Sequence, residues 1–462
     1  MVQLTESSSR SVNGSVAGMK IPGSGFVFIA CGCFATVLYP YRQGFPQNSW
    51  EYGGFLQESG RIYAQEPNPA DAYAEGSAQF QLWGRASIRK NISVKSVLDF
   101  RIDTHRNVER GRWLDLEQRG LRQPANAISE LYLDARLGRV DLRLGRQRIR
   151  WGRADGFNPT DNIVPYDYLA TFDDERLPVN ALKADTWFAR TNVEVVWLPF
   201  YSPTRLPLLG QRWFPRLPSS AVIEPAPGSG PVMVDLVYRD LAGPLPARTF
   251  RNGQWGIRLN QILPRGEFSL SYYDGFDDLP YFRPEIEPVF DPASLRPKAM
   301  VSLRREYYRV HAAGVDFASE IGPIGIRGEA AYFDQTDPLN LDHLLFIAGI
   351  DKRWGEWFAI IQYTGQKLNG RAPGALVFPD LGLRSTLICR LERTIGPAQS
   401  FEIKGALRLL DGDLVLQPVY SIALSNGWRL KLGATVFAGS ESDYLGQYRD
   451  SSHINLQLLY SF

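Results

Sequence analysis

Residues 453–462 read HINLQLLYSF, and the reading of this closing stretch decides the fold. Ile454, Leu456, Leu458, Tyr460 and Phe462 take every second position, with His453, Asn455, Gln457 and Ser461 between them and Leu459 the one exception. A period of two puts each set on its own face of a β-strand. One face is then apolar, the other mostly polar, and the chain stops on an aromatic residue. As a soluble edge strand this stretch would leave a row of large side chains to be covered. Placed between hydrocarbon and a wet interior, it leaves none.

The same device recurs upstream. Ile92, Val94, Leu98, Phe100 and Ile102 share one parity, against Lys95, Asp99, Arg101 and Asp103. Leu131, Leu133, Ala135 and Leu137 oppose Glu130, Asp134 and Arg136, and Val140, Leu142 and Leu144 oppose Asp141 and Arg143. In the second half Ile324, Ile326, Ala330 and Tyr332 oppose Arg327 and Glu329, while Leu387, Cys389 and Leu391 oppose Arg390 and Glu392. Phe401, Ile403, Leu407 and Leu409 oppose Glu402, Lys404 and Arg408; Trp428, Leu430, Leu432, Ala434 and Val436 oppose Arg429 and Lys431. A half-buried soluble sheet explains one or two such strands. This many, with charges confined to one parity, predict a lipid-facing exterior and a hydrated lumen lined by those charged residues. Basic and acidic side chains there are nearly balanced, so strong ion selectivity does not follow, and the alternative is a wall whose charges pair off.

The connections alternate in length. Short turns fall near Lys90-Asn91, Gly138, Arg190-Thr191, Pro264-Arg265, Gly322, Gly355, Pro397 and Asn426-Gly427. Most of the intervening ones are longer, covering 104–126, 151–178, 200–252, 276–303, 336–342, 367–382 and 439–448, with the pair joined by Asp411-Gly412-Asp413 the tight exception. Short turns on one side and long loops on the other are the arrangement of a membrane barrel. The strand windows are 51–60, 77–89, 91–103, 127–137, 139–150, 179–188, 192–199, 253–263, 265–275, 304–319, 323–335, 343–354, 356–366, 383–395, 398–410, 413–425, 427–438 and 449–462. That predicts an all-β, antiparallel, up-and-down transmembrane barrel of about eighteen strands, with sixteen as the alternative if the first window fails.

Composition agrees. The 462 residues include 11 Trp, 21 Tyr and 25 Phe, enough for aromatic girdles, and the net charge of +2 offers nothing to a nucleic acid. Past the amino-terminal region no apolar run approaches the ~20 residues of a spanning helix. Phe26 to Tyr39 (FVFIACGCFATVLY), after Lys20 and before Pro40 and Arg42, reads as a signal peptide within residues 1–44, with Met19 a candidate true start. Residues 45–462 are then the barrel, with no span left for an amino-terminal plug. Only Cys389 remains beyond the signal region, so no intramolecular disulfide is expected.

The densest irregular signal is LGRQRIRWGRADGFNPTDNIVPYDY, residues 144–168. Continuing the register of Leu144 puts Arg146, Arg148 and Arg150 on the lipid side, at about 2–4 kcal/mol each near the midplane. Either a bulge at Gly145 turns them inward, the reading preferred here, or the strand has left the hydrocarbon and they meet lipopolysaccharide phosphates. Beyond them Arg153, Asp155, Asn158, Asp161, Asp167, Asp173, Asp174, Glu175 and Arg176 sit among turn formers, as a constriction loop inside the lumen or as a rigid outer loop. The aspartates lack the spacing of an EF-hand, and no metal or other cofactor is predicted. Residues 200–249 are crowded with proline and are expected to be loop, either a stiff lid or a solvated excursion. His105, His311, His343 and His453 show neither metal-ligand spacing nor a partnered nucleophile, so no enzyme is predicted.

The terminal strand resembles that of Gram-negative outer-membrane barrels, which implies that Phe462 is read by the barrel-assembly machinery. The 144–168 run, with LPVNALKADTWF (177–188) and NVEVVWLPFYSPTRLP (192–207), resembles porin-like Gram-negative barrels related to alginate-export channels. That resemblance implies passage of solutes or polymers across the outer membrane without energy input. Alginate exporters have a strongly basic lumen, whereas the signs here are mixed. Related families are associated with lipid or hydrophobic-compound transport. The expected function is a porin-like channel for small polar solutes or a polymer. The alternatives are an exporter of lipid or polysaccharide, working with a periplasmic or inner-membrane partner, and a surface adhesion barrel. Lipid and lipopolysaccharide are the expected surroundings.

Overall fold

The computed structural model describes residues 49–65, 72–111, 114–117, 119–169, 175–224, 230–292, 296–336, 342–369 and 384–462. The signal-peptide reading of 1–44 and the residues Asp173 and Asp174 lie outside the described residues. Eighteen staves form one antiparallel sheet. In chain order they are β1 (Trp50–Tyr63), β2 (Ala74–Arg89), β3 (Ile92–Asp103), β4 (Asn126–Leu137), β5 (Val140–Gln147) and β6 (Val179–Phe188). Then come β7 (Thr191–Leu198), β8 (Gln254–Leu263), β9 (Gly266–Phe276), β10 (Arg309–Ile321), β11 (Ile324–Gln335) and β12 (His343–Trp354). The last are β13 (Trp357–Leu368), β14 (Thr386–Ile395), β15 (Gln399–Arg408), β16 (Leu414–Ala423), β17 (Trp428–Ala438) and β18 (His453–Ser461).

Each stave pairs with the next, and β18 returns to β1 from Phe55 opposite Ser461 to Tyr63 opposite His453. Closure satisfies every ladder and removes the sheet edges. The carboxy-terminus takes part: Phe462 N donates to Gly54 O at 3.1 Å, Gly54 N donates back at 3.0 Å, and the Phe462 ring stacks 6.2 Å from Phe80. A side chain at Gly54 would collide with that ring, its Cβ falling 2.7 Å from Phe462 Cζ. The short turns share the end that holds Phe462. Left-handed backbone recurs in them, for example at Gly138 (φ 64°) and Gly355 (φ 55°), as tight hairpins require.

Alternation translates into an outward apolar surface. Ile102, Leu144, Leu432, Ile454 and Leu456 are each more than half exposed, while the intervening His453 and Thr435 are buried. That surface suits hydrocarbon.

Four expectations need correction. The window 304–319 begins too early, because Lys298–Glu306 leaves the barrel and β10 starts only at Arg309. Lys298–Glu306 joins a separate sheet with Ser220–Ile223, Val232–Leu241 and Tyr281–Val289. The proline-rich 200–249 connection is therefore not all loop: its proline-free run VMVDLVYRDL is a strand. Pro284 and Pro288 are tolerated because Tyr281–Val289 is the edge of that sheet. β5 ends at Gln147 rather than Arg150, and its ladder keeps register through Gly145, so no bulge there reverses the arginines. The register shift lies on β4, which skips Ser129 opposite Val97 and Leu98 and lets Ser129 and Glu130 both turn inward, onto Asp99 and Lys95.

Candidate functional site

The chain that leaves β5 folds into the barrel. From Trp151 to Asp161 it touches staves β7 through β11, contacts that only the lumen can offer together. Trp151 Nε1 donates to Glu194 of β7 at 2.5 Å. Arg153 enters a polar socket built by three staves: Glu267 at 2.9 Å, Ser269 at 2.8 Å, Asn260 at 2.5 Å, and the carboxylate of Asp316. Asp155 accepts from Arg327 of β11 at 2.8 Å. Glu329, also on β11, is the main anchor. It accepts from the backbone amides of Arg153 and Ala154 and from the Thr160 hydroxyl, the last two at 2.6 and 2.9 Å.

Under the loop the lumen is dry. Ile149, Trp151, Ile163 and Val164 pack against Val179, Ala181, Val196, Leu198, Tyr273, Val310 and Ala312 from the inward faces of β6, β7, β9 and β10. Burying four loop side chains there stabilises the seated loop by about 1.5–3 kcal/mol each, before ordering costs.

A second connection, 199–253, crosses the mouth. Arg205 pairs with Asp167 at 2.8 Å, both almost fully buried, and this joins the two loops. Farther on, Arg212 lies 3.6 Å over the Tyr63 ring, and Trp213 packs on Tyr63, His453, Phe437 and Tyr448. Arg216 closes the strap on Asp450 at 2.8 Å. The connection thus runs from β7 to β1, β17 and β18, nearly opposite in the ring. Phe214 fastens the small sheet to it through Phe282, Val301 and Leu303.

The charged residues read from alternation pair across neighbouring staves. Lys95 meets Glu130 at 2.8 Å, Arg143 meets Asp134 at 2.6 Å, and Arg136 meets Asp141 at 2.6 Å near the turns. Asp99 accepts from Gln81 at 2.7 Å, and Arg101 reaches Glu175 at 2.9 Å. On the far wall Arg390 bridges Glu392 (2.8 Å) and Glu402 (2.6 Å), and Glu402 also holds Lys404 at 3.0 Å. Arg408 turns to Asp411 at 2.8 Å, whereas Arg429 and Lys431 make no ion pair among the described residues.

Residues 91–356 match the family described as "Protein of unknown function (DUF1302)". The chain belongs to the DUF1302 family. No curated protein matches it. Acinetobacter baumannii OccAB4 is similar in structure, at 9% identity over 90% of this chain and 98% of that one, with a TM-score of 0.50. Pseudomonas aeruginosa OccK9 (OpdG) is similar at 10% identity, with the same coverages and a TM-score of 0.51. At such identity the likeness shows the fold alone. These comparisons support an outer-membrane type of barrel but not the narrower relation to alginate-export channels.

The three arginines of this DUF1302 barrel part company. Arg146 keeps the parity of Leu144 yet is 5% exposed, because the 104–125 connection covers it and Leu116 O accepts from it at 2.5 Å. Arg148, beyond the stave, turns inward to Glu130 at 3.1 Å. Arg150 is exposed. The loop aspartates do not share a ligand: Asp155 goes to Arg327, Asp161 to Arg176 and Asp167 to Arg205. Asn158 keeps its Oδ1 buried without a hydrogen-bond partner. His311 lies 3.2 Å from the Tyr272 hydroxyl, and His453 Nδ1 is 2.9 Å from the carbonyl of Ser451. Alternation over 315–317 and 257–259 would have found Asp316 and Arg258. Glu194 carries no such signal, since its inward neighbours Val196 and Leu198 are apolar.

Asp161 sits on the loop rather than on a stave. Burial pushes its carboxyl up to about 7, against the opposing pull of Arg176 and the Trp151 amide. An aspartate in the unfolded chain releases its proton near 3.8, so the folded state holds one more proton between these values. Stability contributed here falls as pH rises from about 4 to about 7 and is level above. Thermal melting at pH 5 and pH 8 should show a larger loss for the wild type than for Asp161→Asn, and equal losses would contradict this assignment.

Proposed function

We propose that the protein is a porin-like diffusion channel of the Gram-negative outer membrane, passing small solutes through a lumen narrowed by 151–168. One observation carries this reading: the apolar core under the loop lies against β6, β7, β9 and β10, whereas the inward side chains of β14, β15 and β17 are charged. There Arg390, Glu392, Glu402, Lys404, Arg429 and Lys431 are all partly or fully exposed, as side chains along a hydrated path would be. Ion pairs within one wall keep its charges fixed without closing the lumen, and mixed signs orient polar solutes. In this reading the outward apolar surface meets lipid and lipopolysaccharide, and Phe462, 41% exposed at the turn end, is the residue presented for assembly. Binding and passage need no covalent step, so no enzymatic role is assigned.

Planar-bilayer recording of the refolded full chain tests the proposal. Discrete current steps are expected from the wild type, with larger steps once 200–249 is deleted. No current from either protein would reject a channel.

A further inference from the structure

A cleft of about 130 Å³ lies between the loop, the 277–281 turn and the outer ends of β11, β12 and β13. That equals roughly four waters at ~30 Å³ each, enough for a charged head group with its first carbons. Four carboxylates line it, Asp161, Asp277, Asp278 and Glu306, and neither lysine nor arginine does. Asp161 is committed to Arg176, while Glu306 accepts from the Tyr308 hydroxyl and lies 3.6 Å from Arg283. Asp278 is held by the Thr204 hydroxyl at 2.5 Å and makes no ion pair among the described residues. Burial raises its affinity for a proton, against the opposing pull of the Thr204 hydroxyl and of Arg176. Asn158, whose Oδ1 lacks a donor, lines the same space.

Aromatic rings supply much of the remaining lining. Tyr281 lies 6.2 Å from Tyr308, and Phe333 stacks on His343 at 4.6 Å. Tyr166, stacked on Tyr168 at 5.3 Å, already holds the Arg176 guanidinium 3.3 Å from its ring. Ring faces and carboxylates both attract a cation, and rings also take its apolar body. An incoming anion would meet these carboxylates first, and the nearby Arg176 is already paired with Asp161.

We propose that this cleft binds solutes carrying a primary ammonium group on an aryl or alkyl body. The ammonium would meet Asp278, Glu306 and Asn158, and the body would lie against the rings. The inference rests on the channel reading for the solute's route, but not for its binding. Isothermal titration of the detergent-solubilised full chain separates the two, with phenethylammonium, 2-phenylethanol and 3-phenylpropionate as probes. Phenethylammonium is expected to bind ~10-fold more tightly than either of the others, a difference of about 1.4 kcal/mol. Asp278→Asn and Glu306→Gln should each remove most of that preference while keeping the heat-modifiable gel mobility of a folded barrel. Equal affinity for the three probes, or variants that bind the amine as the wild type does, would overturn the site. Bilayer currents from the same preparations report separately on the channel.

Discussion

Replacing Glu329 with Ala is expected to release the inward loop and widen the lumen while the barrel itself survives. Glu329 is 4% exposed and stands on β11, 176 residues from the Arg153 amide that it accepts. It also takes the Ala154 amide and the Thr160 hydroxyl. The turn is shaped to it: Gly152 has φ 85°, and a Cβ there would lie 2.7 Å from Glu329 Oε2. Removing the carboxylate leaves these donors and the Thr160 amide unmet in a water-poor niche, at about 1–3 kcal/mol apiece. The stave's own ladder is backbone and stays intact, so the heat-modifiable gel shift should persist. The signature is a new protease nick within 153–163 together with a larger single-channel conductance. A loop as resistant as that of the wild type, with unchanged conductance, would show that Glu329 does not hold it.

The second large effect is expected at Trp151. Its side chain is 1% exposed, at the centre of the cluster between loop and wall, and its indole nitrogen is bound to Glu194. Truncating a buried tryptophan to alanine costs about 3–5 kcal/mol when the cavity cannot collapse. Here one wall of the cavity is a hydrogen-bonded stave, which does not move. The cost therefore falls on the loop, and amide exchange across 149–165 should accelerate steeply in Trp151→Ala while β17 and β18 keep wild-type protection. Gly256 offers the same test from the other side. A Cβ there would come 2.8 Å from both Trp151 Cη2 and Ile163 Cδ1, so Gly256→Ala should loosen the same segment. Protection unchanged in both variants would mean that the apolar cluster is incidental to the loop's position.

Legibility in this chain follows the solvent on each side of the wall. β17, β18 and β4 could be read because hydrocarbon touches one face and water the other, and side chains record that difference at period two. β7 could not be read in the same way. Val196 and Leu198 face inward yet are apolar, since the loop has displaced water from them, so NVEVVWL looks like a continuously oily strand. Arg148 does turn inward, but not through a bulge at Gly145: the ladder ends at Gln147, and beyond it parity no longer dictates direction. The anchors of the loop were beyond reach altogether. Nothing local in GRADGF points to Glu329 or Asp316, because those contacts depend on how the ring closes and not on neighbours in the chain. The separate sheet was hidden by its prolines, which mark the loops around Val232–Leu241 while the strand itself is free of them.

Spin labels placed singly at residues 454 to 457 tell the two sides of the wall apart, because oxygen partitions into lipid and a nickel chelate stays in water. Strict alternation is expected in reconstituted membranes: Ile454 and Leu456 positions accessible to oxygen, Asn455 and Gln457 positions accessible to the chelate. Four labels with the same accessibility, or Ile454 and Leu456 shielded from both reagents, would contradict a wall that separates lipid from a hydrated lumen.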